Sequence, residues 1–256
     1  MSDTRGSGWG ARWRRRAQAA PGTLLRRGIQ AYNRAVLSIP RRGPGPGVPA
    51  DVRDVFERAR APTDISHHLP SLFREAVEAD ARLIVELGTR GGDSTFAFER
   101  AAQRTGATVV SVDLEDCSGV SAFHRWIFVQ EDDLDFARRF PAWCAQRGLR
   151  PAIDVLFVDT THAYEQTRAE LAAWTPYLAP RGRALLHDSN MRGLYRRGDG
   201  TVGLAGDMGR GVARAIHDFL GATFNEKRRF EGRIGPFHVR HDPLCNGLTV
   251  LEKGPA

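Results

Sequence analysis

Five acids close apolar, β-rich runs: Glu86, Asp113, Asp132, Asp159 and Asp188. Strand ends of this kind are where an open α/β sheet presents side chains to a ligand. The runs read as strands over 82–88, 108–114, 126–132, 153–159 and 183–188. The first leads from Glu86 into Gly88-Thr89-Arg90-Gly91-Gly92-Asp93-Ser94. Its glycines let the chain turn sharply and bring backbone close to a ligand, and Ser94 is expected to cap the next helix. The G-x-x-G-G spacing departs from the G-x-G-x-x-G of a dinucleotide site. An acid before the loop would repel a diphosphate but suits a ligand carrying an ammonium and a sulfonium. Asp113 is placed to accept from ribose hydroxyls, and Asp132 is expected to meet an adenine amine.

The later strand ends carry different chemistry. Neighbouring strands lie about 4.8 Å apart, so Asp159 and Asp188 can reach one small hard cation. Asn190 offers an amide oxygen as a third ligand, although Ser189 stands between it and Asp188. His162, three residues after Asp159 at a helix start, can face the same cavity and take a proton near neutral pH. His67 and His68 precede the first strand, where either lining a pocket or local packing would explain them. His124 and His187 have no constellation around them. The glycine-rich stretch 191–210 follows Asp188 and reads as a mobile loop over the acceptor. Its Arg192, Arg196, Arg197 and Arg210 either bind that acceptor or stand in solvent.

These residues need a scaffold, and the alternation of helical and strand-like segments supplies one. Helices are expected over 51–60, 70–80, 94–104, 134–147 and 164–178. Val155-Leu-Phe-Val158 is apolar throughout, as a strand covered on both faces must be. The pattern is a doubly wound parallel sheet, ending in an antiparallel hairpin across Asn246-Gly247. Before it, residues 1–50 form a separate arm. Residues 1–20 read as disordered, 22–38 as a basic amphipathic helix with Leu25, Ile29, Tyr32 and Val36 on one face, and 40–49 as a Pro/Gly linker. That helix could pack on its own domain or a second subunit, lie on an anionic membrane surface, or belong to a transit peptide.

Charge follows the same division. The total is +7, yet ten arginines and only one acid, Asp3, fall in the first fifty residues, leaving the rest slightly acidic. A basic groove for nucleic acid is therefore not expected. Three widely spaced cysteines, 117, 144 and 245, give neither a disulfide framework nor a zinc pattern and suit a reducing, cytoplasmic setting.

Residues 82–188, together with the terminal hairpin, resemble class I S-adenosylmethionine-dependent methyltransferases. The segments Asp64–Leu72 and Val158–Glu165 are similar to bacterial Mg-dependent O-methyltransferases that modify sugars and antibiotics. The resemblance implies a Rossmann-like, seven-stranded, mostly parallel sheet over residues 51–256. It implies S-adenosylmethionine bound by Glu86, Gly88, Thr89, Gly91, Ser94, Asp113, Asp132 and His68. It implies Mg2+ on Asp159, Asp188 and Asn190, with His162 as the base where the catechol-type relatives have lysine. The expected acceptor is a hydroxyl on a sugar-containing small molecule, and a homo-oligomer is expected. Two alternatives stand beside this: a metal-independent methyltransferase acting on a phenol or amine, and a non-catalytic cofactor-binding protein that docks through its basic arm.

Overall fold

A computed structural model describes the backbone of residues 8–38, 48–206 and 209–255, with side chains from residue 23 onward. Helix α1 (Gly8–Leu37) leads to α2 (Ala50–Arg58), a 3₁₀ turn at Ser66–His68 and α3 (Leu69–Glu78). Strand β1 (Leu83–Leu87), α4 (Asp93–Thr105), β2 (Thr108–Asp113), β3 (Trp126–Gln130), α5 (Asp133–Gln146) and β4 (Ile153–Val158) follow. Then come α6 (Tyr164–Trp174), β5 (Leu178–His187), the ribbon β6 (Leu194–Arg196) and β7 (Val202–Leu204), and α7 (Gly211–Leu220). The chain closes with β8 (Phe230–Ile234), β9 (Phe237–Asp242) and β10 (Leu248–Lys253).

The main sheet has the order β3-β2-β1-β4-β5-β10-β9-β8. Its first five strands are parallel, and β10 turns antiparallel against β5. The doubly wound sheet and terminal hairpin are those expected, but the sheet has eight strands rather than seven. The extra strand is β8, antiparallel to β9. Its alternation, with Glu231 and Arg233 outward, lies within a charged stretch, and charge on an edge strand blocks further pairing.

Two apolar layers enclose the parallel sheet. Leu83, Val85 and Leu87 of β1 face Phe136, Phe140, Trp143 and Trp174 from α5 and α6. Ile84 of the same strand faces Leu69, Leu72, Phe73 and Phe98 from α3 and α4. Every β1 residue is buried, so Glu86 is placed inside this second layer by strand alternation alone.

The arm departs from expectation. Helix α1 begins at Gly8, inside the segment read as disordered, while residues 1–7 and 39–47, with most of the expected linker 40–49, lie outside the described residues. Asn33 ties α1 to the ribbon: its Nδ2 donates to the Val202 carbonyl (2.8 Å) and its Oδ1 accepts from the Val202 N–H (2.9 Å). Where a mobile loop was expected, 191–206 contains the ribbon β6–β7, bonded to α1. Residues 207 and 208 of the expected loop lie outside the described residues.

Candidate functional site

The loop after β1 is shaped by close approach. Gly88 has φ +88°, and a Cβ there would lie 2.2 Å from the Asp159 carbonyl oxygen, so only glycine lets β1 pass beneath the end of β4. Gly92 caps α4 in the left-handed region with no side-chain cap. The expected cap, Ser94, instead lies in the first turn of α4, close to Glu86. Asp113 pins the loop: its Oδ2 accepts from the Thr89 (2.7 Å) and Arg90 (3.1 Å) N–H groups and its Oδ1 from that of Glu115 (3.0 Å). Burial pushes its carboxyl up, but these N–H bonds outweigh that and hold it below its ordinary value.

Two adjoining cavities flank Gly88, Arg90 and Asp159. The larger, about 380 Å³, is lined by Asp113, Leu114, Glu131, Asp133 and Thr160 among others. The smaller, about 170 Å³, is lined by Thr63, Asp64, Thr89, Gly91, Asp93 and Ser94. Of the expected cofactor residues, Gly88, Thr89, Gly91, Ser94 and Asp113 therefore meet around one space. Two do not line it. Asp132 ends no strand, since β3 stops at Gln130; its Oδ1 caps α5 by accepting from Leu134 and Asp135, and its neighbour Asp133 faces the cavity instead. His68 is packed inside the protein, its Nε2 2.7 Å from the Leu244 carbonyl oxygen. Burial and the neighbouring histidines push it down to about 3, which keeps it neutral.

Glu86 lies beneath the loop. Its Oε2 accepts from Thr95 Oγ1 (2.7 Å) and Ser111 Oγ (2.5 Å), and Oε1 is buried. Burial raises its carboxyl to about 7 against those hydroxyl bonds. Arg90, at φ +45° and paired with Asp64 at 3.5 Å, lines both cavities and was not singled out by sequence.

Beside these cavities, β4 and β5 end in a charged cluster. His162 Nε2 lies 2.7 Å from Asp188 Oδ2 and 3.2 Å from Asp159 Oδ1. Ligand atoms of these three residues lie within 4.8 Å of one another, an arrangement able to hold a metal ion. His162 (φ +60°) and Asp188 (φ +55°) both occupy the left-handed region, unusual for non-glycine residues and a form of strain that gathers at functional sites. Among the described residues, Asp188 Oδ1 is buried with no hydrogen-bond partner. An orphaned anionic oxygen in a set of two carboxylates and an imidazole fits a divalent cation.

His187, which sequence left without partners, belongs to this cluster. The register pairs Val158 with Leu186, so the next pair across the strands is Asp159 and His187. His187 Nδ1 lies 3.2 Å from Asp159 Oδ1 and 3.4 Å from Asp188 Oδ2. Burial opposes charge on both histidines, but the two carboxylates overcome it, raising His162 to about 9 and His187 well above its ordinary value. Burial likewise opposes ionisation of the aspartates. The His187 charge and the histidine bonds hold Asp159 at about 2 and Asp188 lower still.

Asn190 is otherwise engaged. Its Nδ2 donates to the Pro243 carbonyl (2.9 Å) and its Oδ1 accepts from Arg192 (3.3 Å). Ser189 is a core group, bonded to Thr249 Oγ1 at 2.9 Å. Among the acceptor-side arginines, Arg192 and Arg210 pair with Glu226, and Arg197 is buried against Thr63 and Tyr195. Arg196 is exposed, so three of these four charges are held by structural partners.

Residues 85–189 match a family described as a methyltransferase domain. No curated protein matches the sequence. Among solved structures, SAH-bound methyltransferase PaMTH1 from Podospora anserina is 14% identical and covers 99% of each chain, with a TM-score of 0.53. Cofactor-bound Rv0187 from MTB is 16% identical, covering 87% of this chain and 96% of that one, with a TM-score of 0.55. MycE methyltransferase from the mycinamycin biosynthetic pathway, in complex with Mg, SAH and mycinamycin VI, is 20% identical with a TM-score of 0.52. That match covers 81% of this chain, which spans 54% of MycE. At these identities the likeness is one of fold. Among the described residues, no helix is long and apolar enough to cross a membrane.

Proposed function

We propose that this chain, a class I S-adenosylmethionine-dependent methyltransferase resembling the Mg-dependent O-methyltransferases, methylates a hydroxyl on a sugar-bearing small molecule. The observation that carries the reading is the convergence of His162 Nε2 on Asp159 and Asp188 beside the cofactor cavities. The MycE likeness, with Mg, SAH and mycinamycin VI in its crystal, adds support for a cation and for a small-molecule acceptor.

In this reading S-adenosylmethionine spans the two cavities over Gly88. Asp113 receives the ribose hydroxyls and holds the loop, while Asp133 lies on the adenosine side. Thr89, Gly91 and Ser94 border the methionine end, where Glu86 supplies a negative charge from below and Arg90 a positive one. Asp159 and Asp188 would hold the divalent cation, Mg2+ in this reading. Such an ion, when bound, acidifies the acceptor hydroxyl and screens the carboxylate charge that keeps a proton on His162. His162 Nε2 then takes the hydroxyl proton as the oxygen attacks the sulfonium methyl. Residues 194–204 stand on the acceptor side and limit water.

A metal-independent reading has one observation in its favour. The two imidazoles, both raised by the carboxylates, can balance Asp159 and Asp188 as a closed four-group cluster. One experiment separates the two: methyl transfer to a panel of glycosides and phenols, measured in EDTA and with added Mg2+. The metal reading expects glycoside methylation that EDTA abolishes; full activity in EDTA would remove the cation. The arm is also part of the proposal. Leu24, Leu25 and Leu37 are exposed on a helix free of acids, which supports contact with a second copy, another partner or an anionic surface.

A further inference from the structure

His187 is 1% exposed, and its ring is fixed from two sides. Nε2 lies 3.1 Å from the Cys245 carbonyl oxygen, which can only accept, so Nε2 carries a hydrogen. The His68 ring meets it edge-on at 5.6 Å. The Cys245 carbonyl is itself held by unusual backbone, with Cys245, Asn246 and Gly247 at φ +50°, +67° and +91°. A hydrogen on Nε2 leaves the neutral ring's lone pair on Nδ1, and Nδ1 faces one oxygen each of Asp159 and Asp188. Nδ1 can face two carboxylates in two ways: carrying a second proton, as in the ion-free chain, or turning its lone pair to a cation that they hold. A carbonyl orienting the far nitrogen is how proteins hold a metal-ligating histidine.

We propose that His187 Nδ1 is a ligand of the cation held by Asp159 and Asp188, and that this nitrogen shifts the site's preference from Mg2+ toward imidazole-accepting first-row cations. The inference rests on the reading of those two aspartates as cation ligands. Mg2+ favours all-oxygen surroundings and keeps its waters, whereas imidazole binds Co2+ and its neighbours more strongly.

The test uses the full chain, stripped of metal and titrated with Co2+ or Mg2+ by calorimetry. Wild-type protein should bind Co2+ more tightly than Mg2+ by about 100-fold or more. His187→Gln keeps an N–H for the Cys245 carbonyl but removes Nδ1. It should weaken Co2+ by roughly 10–100-fold and Mg2+ only slightly. An unchanged Co2+/Mg2+ ratio in that variant would overturn the role of His187 while leaving the aspartate site standing. No binding of either ion to wild type would overturn both. A second measurement avoids any change at His187: pulsed EPR of Mn2+-loaded His162→Gln should still show ¹⁴N coupling, and its loss there would also sink the proposal.

Discussion

The His162 imidazole bridges the ends of two adjacent strands, with Nε2 2.7 Å from Asp188 Oδ2 and 3.2 Å from Asp159 Oδ1. Such a bridge can hold either a proton or, with a cation on the carboxylates, a lone pair. The choice between them decides whether the residue can act as a base.

In protein stripped of divalent ions, His162 should keep its proton up to about pH 9. Its folded-state value lies above the ordinary 6.5, so its contribution to stability is complete below about 6.5 and is lost as pH rises through about 9. His187 adds a change of the same sign. Thermal melts should therefore decline over that window, and His162→Gln should flatten the decline. An imidazole NMR signal from His162 titrating near 6.5 would contradict the bridge.

Turnover should separate the residues of this cluster. His162→Gln is expected to retain S-adenosylhomocysteine binding and lose on the order of 10²–10⁴ in kcat, partly regained at high pH. Asp159→Asn should lose divalent-ion binding together with activity. Equal metal affinity in Asp159→Asn and wild type would contradict its role.

Glu86 gives a different pH signature. Its buried carboxyl titrates at about 7 rather than 4.5, so the folded state binds the extra proton and stability falls as pH rises between those values. A ligand bearing an ammonium or sulfonium favours the ionised form. Affinity for S-adenosylmethionine should thus rise between about pH 6 and 8, and Glu86→Gln should show a flat profile. A wild-type affinity that does not change with pH would separate Glu86 from the cofactor.

Removing residues 1–47 tests the arm. Asn33 and Tyr32 hold the ribbon through Val202 and Gly200, and neither lines the cavities around Gly88. Cofactor affinity should stay within a few-fold, while hydrogen exchange at 194–204 should speed up and the acceptor KM rise. Unchanged exchange in the ribbon would show that α1 does not support it. Loss of dimerisation, or of liposome binding alone, would identify what the exposed leucines meet.

The fold was legible because β-rich runs, glycine turns and helical periods agree along residues 82–188. Asp113, Asp159 and Asp188 were legible because strand ends carry polar groups out of an apolar sheet. The missed residues depend on register and loop geometry, which spacing does not encode. His187 joins the cluster because the register sets it beside Asp159. Asp133, rather than Asp132, lines the cavity because β3 ends early and α5 needs a cap. Asn190 looked available as a ligand because its bond to Pro243 crosses more than fifty residues of chain. For His68, pocket lining and packing stood side by side in the sequence, and the Leu244 carbonyl that fixes its ring comes from the far hairpin.

The central claim is that the space around Gly88, between Asp113 and Asp159, takes S-adenosylmethionine. Calorimetric titration of the full chain with S-adenosylhomocysteine tests it most directly, with NADH as the control. Saturable one-site binding of S-adenosylhomocysteine, weakened several-fold or more by Asp113→Ala, with no heat from NADH, is the predicted result. Tight NADH binding with no response to S-adenosylhomocysteine would contradict it.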